Sequence, residues 1–188
     1  MIHALVFDCF GVLTTDGWLP FADKYFGHDP ALHQAARNLN KACDSGIIEY
    51  NEYIQKVAEM AGVSAAEAHR QIEGNVANER LLTYIADLKR HYKIGMLSNA
   101  GQNWMDHLFS PEQVALFDAV VLSCDLGFVK PDPRMYRAVC ERLQVAPEEA
   151  LYVDDIDRYV AGATDVGMHG IVYTDFNSLK HNIDALLR

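Results

Sequence analysis

The apolar positions of this chain change period twice. Residues 4–7 (Ala-Leu-Val-Phe) form a continuous apolar run that stops at Asp8, and Gly11 follows three residues later. A short apolar run bounded by a turn signal predicts a strand buried in a parallel sheet. Residues 14–19 predict a loop. From Pro20 to about Tyr92 the period becomes helical. One helix is predicted over Ala31–Cys43 and another over Asn51–Ala61, stopped by Gly62. A capping-box pattern, Ser64-Ala-Ala-Glu67, opens a third helix that runs to about Glu73. A fourth, Asn78–Tyr92, places Leu81, Leu82, Ile85 and Leu88 on one face, a stripe that predicts core packing.

Beyond Tyr92 strands and helices alternate. Strands are predicted at Lys93–Leu97, Asp118–Leu122, Ala150–Val153 and Ile171–Tyr173. Helices are predicted at Gln102–Phe109, Asp132–Leu143, Arg158–Val166 and Ser178–Leu187. That alternation predicts an α/β fold with a doubly wound parallel sheet. The helical block separates the first strand from its partners, so it reads as an insertion. The expected division is a core of residues 1–14 and 81–188 and an all-α cap of residues 15–80.

Composition narrows the function more than the fold. Half of the 188 residues are apolar and 22% are charged, as a packed globular core requires. A formal net charge of −10 argues against a nucleic-acid partner or an anionic membrane surface. Cys9, Cys43, Cys124 and Cys140 have no CxxC spacing and none of the eight histidines clusters with them, so neither zinc nor a disulfide framework is expected. No basic leader precedes the first strand and no apolar run is long enough to span a bilayer, which predicts a cytoplasmic protein. The sequence does not choose between a monomer and a homodimer.

In a parallel sheet the carboxyl ends of the strands share one edge, where open α/β folds bind their ligands. Asp8, Ser98-Asn99 and Asp154-Asp155 end three of the predicted strands, and Lys130 lies in the loop after the Asp118–Leu122 strand. Each has a bland reading. Asp8 and Ser98-Asn99 could simply begin turns, Asp154-Asp155 could cap a helix, and Lys130 could be a solvated charge. Their joint placement at one rim favours a site. Crowded carboxylates need a cation between them. An all-oxygen donor set suits Mg²⁺, while Lys130 and Ser98 offer donors to a phosphoryl dianion.

These stretches closely resemble the haloacid dehalogenase-like superfamily, in its subgroup with a small helical cap. The matching motifs are Val-Phe-Asp8-Cys-Phe-Gly-Val-Leu, Met-Leu-Ser98-Asn99, Gly127-Phe-Val-Lys130-Pro131-Asp-Pro133-Arg-Met-Tyr136 and Tyr-Val-Asp154-Asp155. The resemblance implies a Mg²⁺-dependent phosphatase acting on a small phosphorylated metabolite through an aspartyl-phosphate at Asp8. By the same resemblance Asp8 and Lys130 would be catalytic. Ser98, Asn99 and Lys130 would bind phosphate, and Asp8, the backbone carbonyl of Phe10, Asp155 and Asp154 would hold the metal.

Position 10 departs from the pattern. Phosphatases of the superfamily usually carry a second Asp there, which protonates the leaving alkoxide and then activates water. Phe10 does neither, and loss of such a group typically lowers the rate about 10²–10⁴-fold. Asp16, in the loop after the first motif, is one candidate replacement. The departure leaves open a catalytically weak or inactive phospholigand-binding or regulatory protein. An aromatic residue at this position also resembles the 2-haloacid dehalogenase branch, which lacks the acidic pair. Arg37, Asn38, Asn75 and Asn78 are the substrate-facing candidates of the cap.

Overall fold

The computed structural model describes residues 1–102 and 104–187. Five parallel strands, β1 (Ala4–Phe7), β2 (Lys93–Ser98), β3 (Ala119–Leu122), β4 (Ala150–Asp154) and β5 (His169–Val172), lie in the order β3-β2-β1-β4-β5. β1 is central and every residue in it is buried. Leu5 and Phe7 face one apolar layer while Ala4 and Val6 face the other, which is why its sequence is apolar without alternation. The chain winds outward from β1 through β2 to β3, then returns to place β4 and β5 on β1's other side. The order therefore reverses at β1/β4, and a ligand crevice opens at such a point.

Register brings the strand ends level. Phe7 pairs with Met96 on β2 and with Val153 on β4. The next residue, Asp8, donates its N–H to Val153 O at 2.8 Å. Asp8, Ser98 and Asp154 therefore finish on the same edge.

The helices, in chain order, are α1 (Trp18–Phe26), α2 (Pro30–Asp44), α3 (Tyr50–Ala61), α4 (Ala65–Glu73), α5 (Glu79–Leu88), α6 (Met105–Leu108), α7 (Pro111–Val114), α8 (Ser123–Leu126), α9 (Pro133–Leu143), α10 (Asp157–Asp165) and α11 (Phe176–Leu186). Leu81, Leu82 and Ile85 of α5 and Leu179 and Ile183 of α11 cover one face of the sheet. Met135, Tyr136 and Val139 of α9 and Ala163 of α10 cover the other. Helices α1–α4 enclose a separate apolar cluster around Phe21, Phe26, Tyr53 and Val57. Their two connections to the sheet run side by side. Thr15 N–H donates to Val76 O at 3.0 Å, and Val76 N–H donates to the Thr15 hydroxyl at 2.9 Å.

Several element bounds differ from the sequence reading, each for a local reason. α1 begins at Trp18, inside the expected 14–19 loop, because the Asp16 carboxylate accepts the Trp18 N–H at 2.7 Å and opens the helix early. α5 stops at Leu88, where the apolar stripe ends. The helix expected over Gln102–Phe109 is reduced to Met105–Leu108, and residue 103 lies outside the described residues. At Ser64 half of the expected capping box forms: its hydroxyl accepts Glu67 N–H, but the Glu67 side chain turns to Arg70 and Gln71. A complete capping box joins Ser110 and Gln113 at the start of α7, which the pattern did not single out.

Candidate active site

Lys130 is the hub of the strand-end cluster. It sits in the loop between α8 and α9, where its N–H donates to the Asn99 side-chain oxygen at 2.8 Å. The Lys130–Pro131 bond is cis. Its side chain is 1% exposed, and Nζ donates to Asp8 Oδ1 at 2.7 Å, Asp154 Oδ2 at 2.7 Å and the Tyr152 hydroxyl at 2.9 Å. An ammonium has three donors, so all are used. Nζ also lies 4.9 Å from the centre of the Tyr159 ring. Burial alone would lower the Lys130 pKa, but Asp154 and Asp8 outweigh it and hold the charge on.

The carboxylates respond in the opposite sense. Burial raises Asp8, with Lys130 opposing and Asp154 and Asp155 reinforcing the rise. Asp155 is pushed up to about 6 by burial and by Asp154 beside it. Asp154 has no spare oxygen: Oδ2 accepts from Lys130 and Tyr152, and Oδ1 accepts Ile156 N–H at 2.9 Å. Asp155 Oδ1, by contrast, is buried with no hydrogen-bond partner among the described residues. Such an atom costs about 1–3 kcal/mol when left unsatisfied, and more for a charged group.

Asp8, Asp154 and Asp155 each present an oxygen within 4.8 Å of the others. Three carboxylates against one lysine leave a negative excess that a divalent cation would offset, and an all-oxygen set fits Mg²⁺. Gly11 makes the arrangement possible. Its φ is +89°, and a Cβ there would fall 2.5 Å from Asp155 Oδ2.

Asp8 and Lys130 border a cleft of about 840 Å³ between the sheet edge and helices α1–α4. Asp8, Phe10, Asn99 and Lys130 line it from the sheet side; Arg37, Asn38 and Asn75 line it from the helical side. Ser98 lies deeper, fully buried, with its hydroxyl donating to Asn99 O at 3.3 Å. Phe10 meets the buried Trp104 edge-on, with ring centres 4.8 Å apart, so a hydrophobic pair stands where an acid was looked for.

One candidate is placed differently from expectation. Asn78 is not a cleft residue: it caps α5, its side-chain oxygen accepting Leu81 N–H, while its amide donates to Val12 O and the Tyr173 hydroxyl. Asp16 does border the cleft, but Oδ1 is occupied by the N–H groups of Trp18 and Leu19. The sequence reading also missed Tyr152. It stands two residues before Asp154 on β4 and so shares its face of the sheet, a period-2 signal that was available.

The chain is similar to known proteins. A family model described as haloacid dehalogenase-like hydrolase matches residues 2–167. The structure of a predicted HAD-like family hydrolase from Porphyromonas gingivalis is similar with a TM-score of 0.80, at 24% identity, covering 100% of this chain and 98% of that one. A HAD family enzyme from Bacteroides thetaiotaomicron, in complex with magnesium and inorganic phosphate, follows at 0.75 and 22% identity, covering 95% and 99%. Among curated proteins, bifunctional epoxide hydrolase 2 of Rattus norvegicus is 27% identical over 185 residues, 94% of this chain. The chain spans only 29% of that relative's length. The family match over most of the chain, on a fold with these four motifs at one sheet edge, places the protein among the haloacid dehalogenase-like hydrolases.

Proposed function

We propose that this hydrolase is a Mg²⁺-dependent phosphatase acting on a small phosphorylated metabolite, with residues 15–80 serving as a cap over a core of residues 1–14 and 81–188. The observation that carries the reading is the buried Asp8–Lys130–Asp154 triangle beside the unpartnered oxygen of Asp155. A cleft of about 840 Å³ suits a metabolite-sized ligand. Magnesium and inorganic phosphate in the Bacteroides thetaiotaomicron enzyme agree with it.

In this reading Asp8 is the nucleophile, with Lys130 holding one of its oxygens and leaving the other to attack phosphorus. Asp8, Asp155 and the Phe10 carbonyl oxygen would hold Mg²⁺, which would offset the charge shared between Asp8 and the phosphoryl oxygens. Asp154 is better suited to positioning than to ligation, since both its oxygens already accept hydrogen bonds. Asn99 fixes the Lys130 main chain, and Ser98 with its neighbouring N–H groups would cradle the phosphoryl oxygens. The P–O bond to the alcohol breaks as the bond to Asp8 forms. Water then attacks the phosphorus of the aspartyl-phosphate and frees the carboxylate.

The test is a Mg²⁺-dependent phosphatase screen over sugar phosphates, nucleotides, acyl phosphates and p-nitrophenyl phosphate, with Asp8→Asn alongside. Turnover that requires Mg²⁺ and disappears in Asp8→Asn is the expected result. The Phe10–Trp104 pair favours a second reading, a phospholigand-binding protein of low activity. Mg²⁺-dependent phosphate binding without turnover would select it. Halide release from 2-haloacids without metal would sink both and point to a dehalogenase.

A further inference from the structure

Phe10 leaves the reaction without a proton carrier two residues after Asp8. Asp16, Asp44, Glu73 and Asp132 are the other acids that border the cleft. Three of them take part in local structure, Asp132 through both oxygens and Asp16 and Glu73 through one each. Asp16 Oδ1 accepts two backbone N–H groups, Glu73 accepts the Tyr50 hydroxyl at 2.5 Å, and Asp132 caps α9 and pairs with Arg134 at 2.7 Å.

Only Oδ2 of the Asp44 side chain is taken, by the Asn40 amide at 2.9 Å, and no hydrogen bond among the described residues ends on Oδ1. Asn40 is itself fixed, accepting the hydroxyl of buried Tyr53 at 2.8 Å. The Asp44 main chain is tied across the cleft as well, for its carbonyl oxygen accepts the Ser123 hydroxyl at the start of α8. The end of α2 is thereby pinned to the sheet side, and a half-buried carboxyl with one free oxygen stands in the wall of the cleft that holds Asp8.

We propose that Asp44 is the general acid and base of the hydrolysis, supplying from the cap the proton that Phe10 cannot. This assignment rests on the phosphatase reading above. As the P–O bond to the alcohol breaks, the Asp44 carboxyl gives its proton to the leaving oxygen. The resulting carboxylate then takes a proton from the water whose oxygen bonds to phosphorus, and Asp8 leaves as carboxylate. Asp44 ends protonated, as it began.

The surroundings suit both roles. Burial raises the Asp44 carboxyl to about 7, with Asp16 reinforcing the rise and Lys130 opposing it, so both forms are populated near neutrality. The groups that face it are Asp16 before α1, Cys43 on its own helix, Tyr53 on α3, Cys124 on α8 and Lys130 before α9.

The experiment compares the wild type with the isosteric Asp44→Asn, in Mg²⁺, on glycerol phosphate and p-nitrophenyl phosphate. Alcohol release is followed in single turnovers, which isolates the first step. The alkyl ester should lose about 10²–10⁴-fold, because its leaving oxygen needs the proton. Release of p-nitrophenol, which leaves as the anion, should stay within a few-fold. With the second step slowed, multiple turnovers of Asp44→Asn should show a burst of p-nitrophenol, and the alkaline fall of the wild-type rate on the alkyl ester should vanish. Equal losses on both esters, or an unchanged alkyl rate, would overturn the assignment while leaving the phosphatase reading intact. Absence of turnover on every ester by the wild type would overturn both.

Discussion

The two walls of the cleft are built on different terms. On the sheet side every donor of Lys130 and every oxygen of Asp154 is engaged, and both side chains are buried. On the helical side Gln34, Arg37, Asn38 and Lys41 lie on one exposed face of α2, and neither Arg37 nor Lys41 forms an ion pair among the described residues. A wall whose central lysine and Asp154 are fully engaged is rigid and sets chemistry; an exposed wall with spare cations sets which substrate is held. Asp44 sits where α2 meets α8 and belongs partly to each.

Mutations should separate the walls by stability as well as by rate. The largest effect is expected for Lys130→Met. It leaves Asp8 and Asp154 buried without their counter-charge, and breaking a buried pair costs about 3–5 kcal/mol. Urea denaturation checks this, and added Mg²⁺ should recover part of the loss. Gly11→Ala comes next. It is strained by φ +89° and pushes on Asp155, so it should lose more than about 1 kcal/mol and bind Mg²⁺ more weakly, as read by calorimetric titration.

A pH effect should follow from Asp44. Its carboxyl titrates at about 7 in the folded chain against 3.8 when unperturbed, so the folded state binds the extra proton. Stability contributed by this group is therefore full below about pH 4 and declines as pH rises to about 7. Asp44→Asn should flatten that part of the stability profile, measured as thermal midpoint against pH. A profile that keeps its slope would remove Asp44 as the cause. The smallest stability change is expected for Arg37→Ala, within about 0.5 kcal/mol because the side chain is exposed. It should instead raise KM with little change in kcat, if this wall acts in binding.

The same contrast explains what could be read from the sequence. β1 is buried on both faces, so its apolar run and its terminal Asp8 stand out, and parallel pairing then carries Ser98 and Asp154 to the same edge. Lys130 was legible from its motif, although its engagement with Tyr152 depends on the face that β4 presents. The cap was legible only as helices. Asn78 looked like a substrate contact but spends its side chain on α5 and on Val12. Asp44 reads as the end of a helix until α2 is placed against α8, since its environment comes from residues 16, 40, 53 and 123. Long-range packing leaves no periodic signal of that kind.

The most direct test of the central claim is to quench the protein in acid during turnover with Mg²⁺ and a phosphate ester, and to map the phosphoryl group by mass spectrometry. The account predicts one phosphoryl group on Asp8, absent without Mg²⁺ and absent in Asp8→Asn. Turnover that persists in Asp8→Asn, or a phosphoryl group on any other residue, would contradict it.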